Sequence, residues 1–202
     1  DDSITGGDGE NTIRSGDGND TITSGRGDSF IFTDGFSSTD NDDDLVTSLR
    51  GNDVIITGVG ADTVSSGGGD DSVEAGDGDD SVDAGGTDDT VLGGQGSDTI
   101  AGGGDNDRLD GGAGNDSING DEDDDTIVAS SGDDTINGGA DSDTYDSGDL
   151  TSSFGEHVIA TVDNNGDGTV EKGVDGTTDT VVSVETFVAG EGVQPDVITL
   201  SD

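Results

Sequence analysis

The sequence predicts an all-β chain, a parallel β-solenoid of 18-residue coils closed by a β-rich C-terminal cap. Three observations carry this. Large apolar residues recur every nine positions from Val46 to Tyr145, passing through Ile118, Ile127 and Ile136. An aspartate stands two residues before each of them, from Asp44 to Asp143. Glycine-rich turns separate short runs of Thr, Ser, Val and Ile. A fixed short period marks an architecture in which one structural unit repeats along an axis. Residues 39–146 hold twelve such nonapeptides without a slip.

The chain opens on half a unit, Asp1-Asp2-Ser3-Ile4-Thr5, which fills positions five to nine and reads as part of a longer polypeptide. Units at 6–14, 15–23 and 24–32 complete an N-terminal repeat block over 1–32. The spacing from Ile31 to Val46 is 15, so an extended loop at 33–44 carries six extra residues. Phe30, Phe32 and Phe36 gather there. Two readings stay open: the loop folds over Phe30 and Phe32, or the rings form an exposed patch for a partner. In the main block, 39–146, residues 57–65 read T-G-V-G-A-D-T-V-S, 75–83 A-G-D-G-D-D-S-V-D, and 93–101 G-G-Q-G-S-D-T-I-A.

Each unit divides into a six-residue turn and a three-residue strand. The apolar eighth residue points inward and its neighbours outward. Two units make a coil. With stacked coils about 4.8 Å apart, the twelve-unit block is roughly 29 Å long. After Tyr145 the period ends, and 147–202 gain apolar residues, among them Phe154, Val181 and Phe187. An open solenoid end leaves strand edges unpaired, so this segment reads as the cap.

The formal charge is −44, from 49 acids against five bases, and only 25% of residues are hydrophobic. Such a chain self-repels and buries little surface, so it needs cations to fold. The same charge excludes nucleic acid and anionic membrane surfaces as partners. No stretch is long and apolar enough for membrane insertion. The absence of cysteine rules out disulfides and thiolate sites and is compatible with secretion. The single histidine, His157, cannot build a His-rich zinc site, and no nucleophile-elbow pattern accompanies it. The chain is therefore read as non-enzymatic.

A glycine-rich turn ending in aspartate offers carbonyl and carboxylate oxygens together, the ligands that calcium takes six to eight of. One turn supplies too few. The ion must lie between two turns stacked on one edge, 18 residues apart. The candidate ligands are accordingly the position-six aspartates and the turn glycines. The aspartates are Asp20 upstream, then Asp53, Asp62, Asp71, Asp80, Asp89, Asp98, Asp107, Asp116, Asp125, Asp134 and Asp143. Among the turn glycines are Gly58, Gly60, Gly67, Gly69, Gly76, Gly78, Gly85, Gly94, Gly96, Gly103, Gly111, Gly112 and Gly114. Asp105, Asp123 and Asp141 replace the position-four glycine and are expected to take its left-handed geometry.

Residues 111–119, G-G-A-G-N-D-S-I-N, match G-G-x-G-x-D-x-U-x at every specified position, U being a large apolar residue. This resembles the nonapeptide of the RTX (repeats-in-toxin) proteins, a calcium-binding β-helix repeat. The resemblance covers about three quarters of the chain and implies a right-handed parallel β-roll. It also implies a ligand set: carbonyls of positions two and four with the position-six carboxylate, then, 18 residues on, carbonyls of one and three with the next aspartate. One site would thus use Gly58, Gly60 and Asp62 with Ala75, Asp77 and Asp80, and another Gly94, Gly96 and Asp98 with Gly111, Ala113 and Asp116. Twelve turns give ten such pairs, and ten calcium ions would lower the net charge from −44 to −24. Asn11 and Ser29 occupy position six in two units that pair across a coil, and that site is expected to be empty or weak.

A separate stretch, D-N-N-G-D-G-T-V-E from Asp163 to Glu171, matches an EF-hand loop through Asp163, Asn165, Asp167 and Gly168. Val174 stands where the bidentate glutamate belongs, so an unconventional calcium loop and an ordinary turn both remain open.

The family resemblance implies a secreted bacterial protein, extracellular or at the cell surface, exported through a type I channel and folding on calcium outside the cell. Family members attach such rolls to proteases, lipases, toxins, epimerases and adhesins, so other domains are expected partners. The rival reading is a structural or adhesive component that self-assembles into a surface layer or filament.

Overall fold

The computed structural model describes residues 1–33, 41–128 and 131–146 in full. Beyond them it describes the backbone of strands at 158–163, 168–172, 177–182, 186–188 and 197–201. All the described regular structure is β, and no helix occurs among the described residues. Strands alternate between two sheets, so each coil contributes one strand to either side.

The first sheet stacks Ile4, Ile22, Val46, Val64, Val82, Ile100, Ile118 and Ile136 in parallel register. The second stacks Ile13, Ile31, Ile55, Val73, Val91, Leu109, Ile127 and Tyr145. These residues, apart from the partly buried Ile4, form one continuous buried seam between the sheets. Parallel pairing and the burial of every apolar eighth residue follow from the period, because a strand that alternates faces puts one side chain in and its neighbours out.

The six extra residues do not interrupt the stack. Ile22 pairs with Val46 and Ile31 with Ile55, each 24 residues apart, and normal 18-residue coils resume at Val46↔Val64. Residues 34–40, with Phe36, lie outside the described residues. Phe30 and Phe32 are half-buried on the outer face of the second sheet, where the Arg14 guanidinium lies 5.1 Å from the Phe32 ring centre and 6.0 Å from that of Phe30.

Strands in the middle coils are longer than the expected three residues. Ser72–Asp77, Ser81–Gly86, Thr90–Gln95, Thr99–Gly104 and Arg108–Ala113 each run on through positions one to three of the next unit. Position one consequently points inward as a second core position, filled by Ala75 and Ala84 and by the hydroxyls of Ser24, Thr33, Ser48, Thr57 and Ser66.

At the C-terminal end, Thr177–Val182 lies parallel to Thr135–Gly139 with Val181 opposite Ile136, and Thr186–Val188 lies parallel to Thr144–Asp146 with Phe187 opposite Tyr145. Both sheets thus gain a strand beyond the last repeat. Gly168–Lys172 and Val158–Asp163 then add antiparallel strands, and Val197–Ser201 closes the sheet parallel to the latter. These strands cover edges that the last coil would otherwise leave open.

Candidate metal centre

The position-six aspartates form two rows, one along each edge of the roll. Each is almost fully removed from solvent; Asp80 and Asp98, for example, are 2% and 1% exposed. One carboxylate oxygen serves the stack. Asp80 Oδ1 accepts the Asp62 N–H at 2.8 Å, Asp98 Oδ1 that of Asp80 at 2.9 Å, and Asp116 Oδ1 that of Asp98 at 2.9 Å. On the other edge Asp71, Asp89, Asp107, Asp125 and Asp143 accept in the same way from Asp53, Asp71, Asp89, Asp107 and Asp125. Asp134 accepts from Asp116 and Asp44 from Asp20. This use of Oδ1 has no counterpart in the expectation of the aspartates as ligands alone.

The second oxygen is different. Asp20, Asp80, Asp89, Asp98, Asp107 and Asp125 each bury an Oδ2 that no hydrogen-bond donor reaches. A buried anionic oxygen without a partner is costly. Its cost appears in the proton affinities. Loss of solvent, reinforced by neighbouring aspartates, raises the carboxyls of Asp71, Asp80 and Asp125 to about 7, Asp89 to about 8 and Asp107 to about 6, against an ordinary 3.8. Asp44 and Asp98 are raised by burial as well.

The orphaned oxygens face carbonyls. A β-carbon placed on Gly93 would meet Asp98 Oδ2, and also Gly111 O at 2.6 Å. On Gly102 it would meet Asp107 Oδ2, and Gly120 O at 2.8 Å. Position-one glycine therefore leaves room where a carboxylate and a carbonyl from the next coil converge. Gly93, Gly102 and Gly120 escaped sequence reasoning because the repeat explains their glycine as a turn residue. Their neighbours Gly94 and Gly96 have φ of +121° and +131°, which turns their carbonyls along the axis toward Gly112 and Gly114 of the coil above. Gly58 and Gly60 face Gly76 and Gly78 in the same manner.

The stacked glycines also carry backbone bonds: Gly67 N–H donates to Ala84 O, Gly69 N–H to Gly86 O, Gly86 N–H to Gly67 O and Glu122 N–H to Gly103 O. Ala113 O accepts from Gly96 N–H at 2.8 Å and Asp77 O from Gly60 N–H at 2.8 Å, while Ala75 O accepts the Thr57 hydroxyl at 2.8 Å. Asp105, Asp123 and Asp141 adopt φ of 67°, 73° and 74° at position four, as their replacement of glycine requires. Asp121 at position two and Thr87 at position four do so as well, at 83° and 81°. No group of three or more acids, histidines or cysteines converges on one point among the described residues, so any ion here would lean on carbonyls as much as on carboxylates.

Asp163 ends the strand Val158–Asp163, which pairs antiparallel with Gly168–Lys172; Asn165 and Asp167 lie outside the described residues, as does His157.

Buried carboxylate oxygens short of donors, with carbonyl oxygens beside them, fit a hard divalent cation. No relative among curated proteins matches the chain. The RTX calcium-binding nonapeptide repeat does match, at residues 1–31, 38–73, 65–100, 83–118, 92–127 and 119–149, several of these stretches overlapping. These copies span well over half of the chain, and the chain belongs to the RTX calcium-binding repeat family.

Proposed function

We propose that this chain is a non-catalytic module of a larger secreted bacterial protein, folding outside the cell when calcium fills the gaps between its stacked turns. The observation that supports it is the repeated buried Oδ2 without a donor, at Asp80, Asp89, Asp98, Asp107 and Asp125. We assign one ion to Gly58, Gly60 and Asp62 with Ala75, Asp77 and Asp80, and another to Gly94, Gly96 and Asp98 with Gly111, Ala113 and Asp116. The remaining pairs follow the same frame, through Gly67, Gly69 and Asp71 with Asp89, Gly76 and Gly78 with Asp98, and Gly85, Gly103, Gly112 and Gly114 with the aspartates of their turns. Ten or so ions result. Calcium supplies positive charge and oxygen coordination that ties adjacent coils together. The chain supplies buried carboxylates and turns already bent to receive it.

An ion that binds only the folded form draws the equilibrium toward it. At the low calcium of a cytoplasm the chain is then an expanded coil, and in an extracellular medium a rod. Circular dichroism during a calcium titration tests this, with magnesium as control. A cooperative coil-to-β transition with calcium and little change with magnesium is expected, since magnesium demands compact octahedral, water-rich coordination. An unchanged spectrum in calcium would overturn the proposal. Asp98→Ala should raise the calcium midpoint more than Ser29→Ala, because only the former removes a buried carboxylate.

Self-assembly is a second reading, supported by one observation: Phe30, Phe32 and the exposed Val54 share the outer face of the second sheet beside Arg14. Light scattering separates the two, since a monodisperse monomer in calcium speaks for the folding module alone.

A further inference from the structure

We propose that Asn11 is a built-in substitute for a cation, its side-chain amide closing the first stacked turn so that this turn takes no metal. The inference rests on the calcium reading of the other turns. In the unit 6–14 the carbonyls of positions two and four are Gly7 O and Gly9 O, the equivalents of the Gly58 and Gly60 pair and the Gly94 and Gly96 pair assigned to ions in later turns. Asn11 Nδ2 donates to both, at 2.9 and 2.7 Å. It also lies 3.3 Å from Ser29 Oγ, the position-six side chain one coil on. The Ser29 hydroxyl donates to Gly27 O at 3.2 Å, so its oxygen stands beside an amide whose two N–H groups point to Gly7 O and Gly9 O. Gly7 N–H donates to Asn11 Oδ1 at 3.3 Å and fixes the plane of the amide.

The chemistry of the two residue types explains the exchange. An ionised aspartate offers acceptors only and would repel both carbonyls unless a cation stood between them. A carboxamide carries two N–H donors and no charge, so it supplies the positive end of the interaction itself. The partner has changed to match: Ser29 is neutral and buried, where the equivalent Asp53, Asp71 and Asp89 are acids. The loss of a carboxylate at 29 would leave the Asn11 N–H without the acceptor used throughout the rows, and it is met instead by Asp28 O at 3.2 Å. Gly7 O, Gly9 O and the Asn11 N–H thus each have a partner within the protein, and Arg26 O, the position-three carbonyl of the next turn, accepts from Gly9 N–H at 2.5 Å. One turn is therefore closed before calcium arrives, and stacking can propagate from it once ions fill the turns that follow.

Native mass spectrometry at saturating calcium tests the assignment by comparing the full chain with the double variant Asn11→Asp/Ser29→Asp, which restores the acids of the later turns. The variant should bind one ion more than the parent, and equal counts would overturn the inference. A parent that binds no calcium would instead sink the calcium reading, a separate outcome. Asn11→Ala provides an arm that creates no new site. Its ion count should equal the parent's, while hydrogen exchange at the Gly7 amide in calcium should quicken at least tenfold. Exchange at the parent rate would show that the amide holds nothing.

Discussion

Asp89 has one oxygen bonded to the Asp71 N–H and the other buried without a donor, and its carboxyl is pushed up to about 8. That combination sets the pH behaviour of the metal-free chain at the scale of the residue. A carboxyl raised from 3.8 to between 6 and 8 means that the folded form binds more protons than the unfolded one. The associated stability is fully present below about pH 4 and is lost as pH rises through about 8. In chelator, the β signal in circular dichroism should accordingly be greater at pH 5 than at pH 8. Calcium must displace these protons, so its midpoint concentration should fall as pH rises over the same window. A midpoint independent of pH would contradict the ligand role of the buried row. Thr87 carries a different strain. A β-branched residue at φ 81° costs about 1–2 kcal/mol relative to glycine. Thr87→Gly should therefore raise stability in calcium by about 1 kcal/mol once the entropy of the new glycine in the unfolded chain is counted, measurable by urea unfolding.

Among elements, the unit of construction is the 18-residue coil and not the nonapeptide. Thr99–Gly104 pairs with Ser81–Gly86 and Ser117–Asp121 in one sheet, whereas Thr90–Gln95 pairs with Ser72–Asp77 and Arg108–Ala113 in the other. Deleting residues 93–110 removes one coil and returns every later strand to its own sheet. Deleting 93–101 sends every later strand to the opposite sheet, the C-terminal strands together with those they pair with, and stacks Arg108–Ala113 on Ser81–Gly86, a pairing between strands native to different sheets. The longer deletion should keep a cooperative calcium transition with about two fewer bound ions, counted by native mass spectrometry at two turns per coil. The shorter one should broaden the transition. An equally sharp transition in the shorter deletion would mean that strands of the two sheets are interchangeable.

For the whole molecule, charge decides the state without calcium. A net −44 on 202 residues favours expansion, and an unfolded chain of this length has a radius of gyration of roughly 48 Å. Small-angle scattering in chelator at low salt should give that value or more. It should shrink when salt is raised to 0.5 M, about where screening confines each charge to a few ångströms. Calcium at millimolar concentration should compact the chain further than sodium at any strength, because screening cannot tie one coil to the next. Equal compaction by the two would argue for charge neutralisation in place of coordination.

Residue types at a nine-residue spacing determined by themselves that the chain is a parallel stack, that Val46 through Tyr145 form its seam, and that position six is acidic from Asp44 to Asp143. They also pointed to positive φ at Asp105, Asp123 and Asp141, since a side chain standing in for glycine must take glycine's backbone. Only the tertiary structure decided how far the strands run, because glycine has no side chain to reveal that Gly93 and Gly102 face inward. Stacking alone divided the two oxygens of each aspartate between the coil below and the gap beside position one. It also placed Ile22 on Val46 across the insertion, where six extra residues could equally have shifted the register. Asn11 reads in the sequence as a missing acid, and the fold turns it into a donor by bringing Gly7 O and Gly9 O to its amide. Period is a property of the chain, whereas the partner of each atom is a property of the coil stacked upon it.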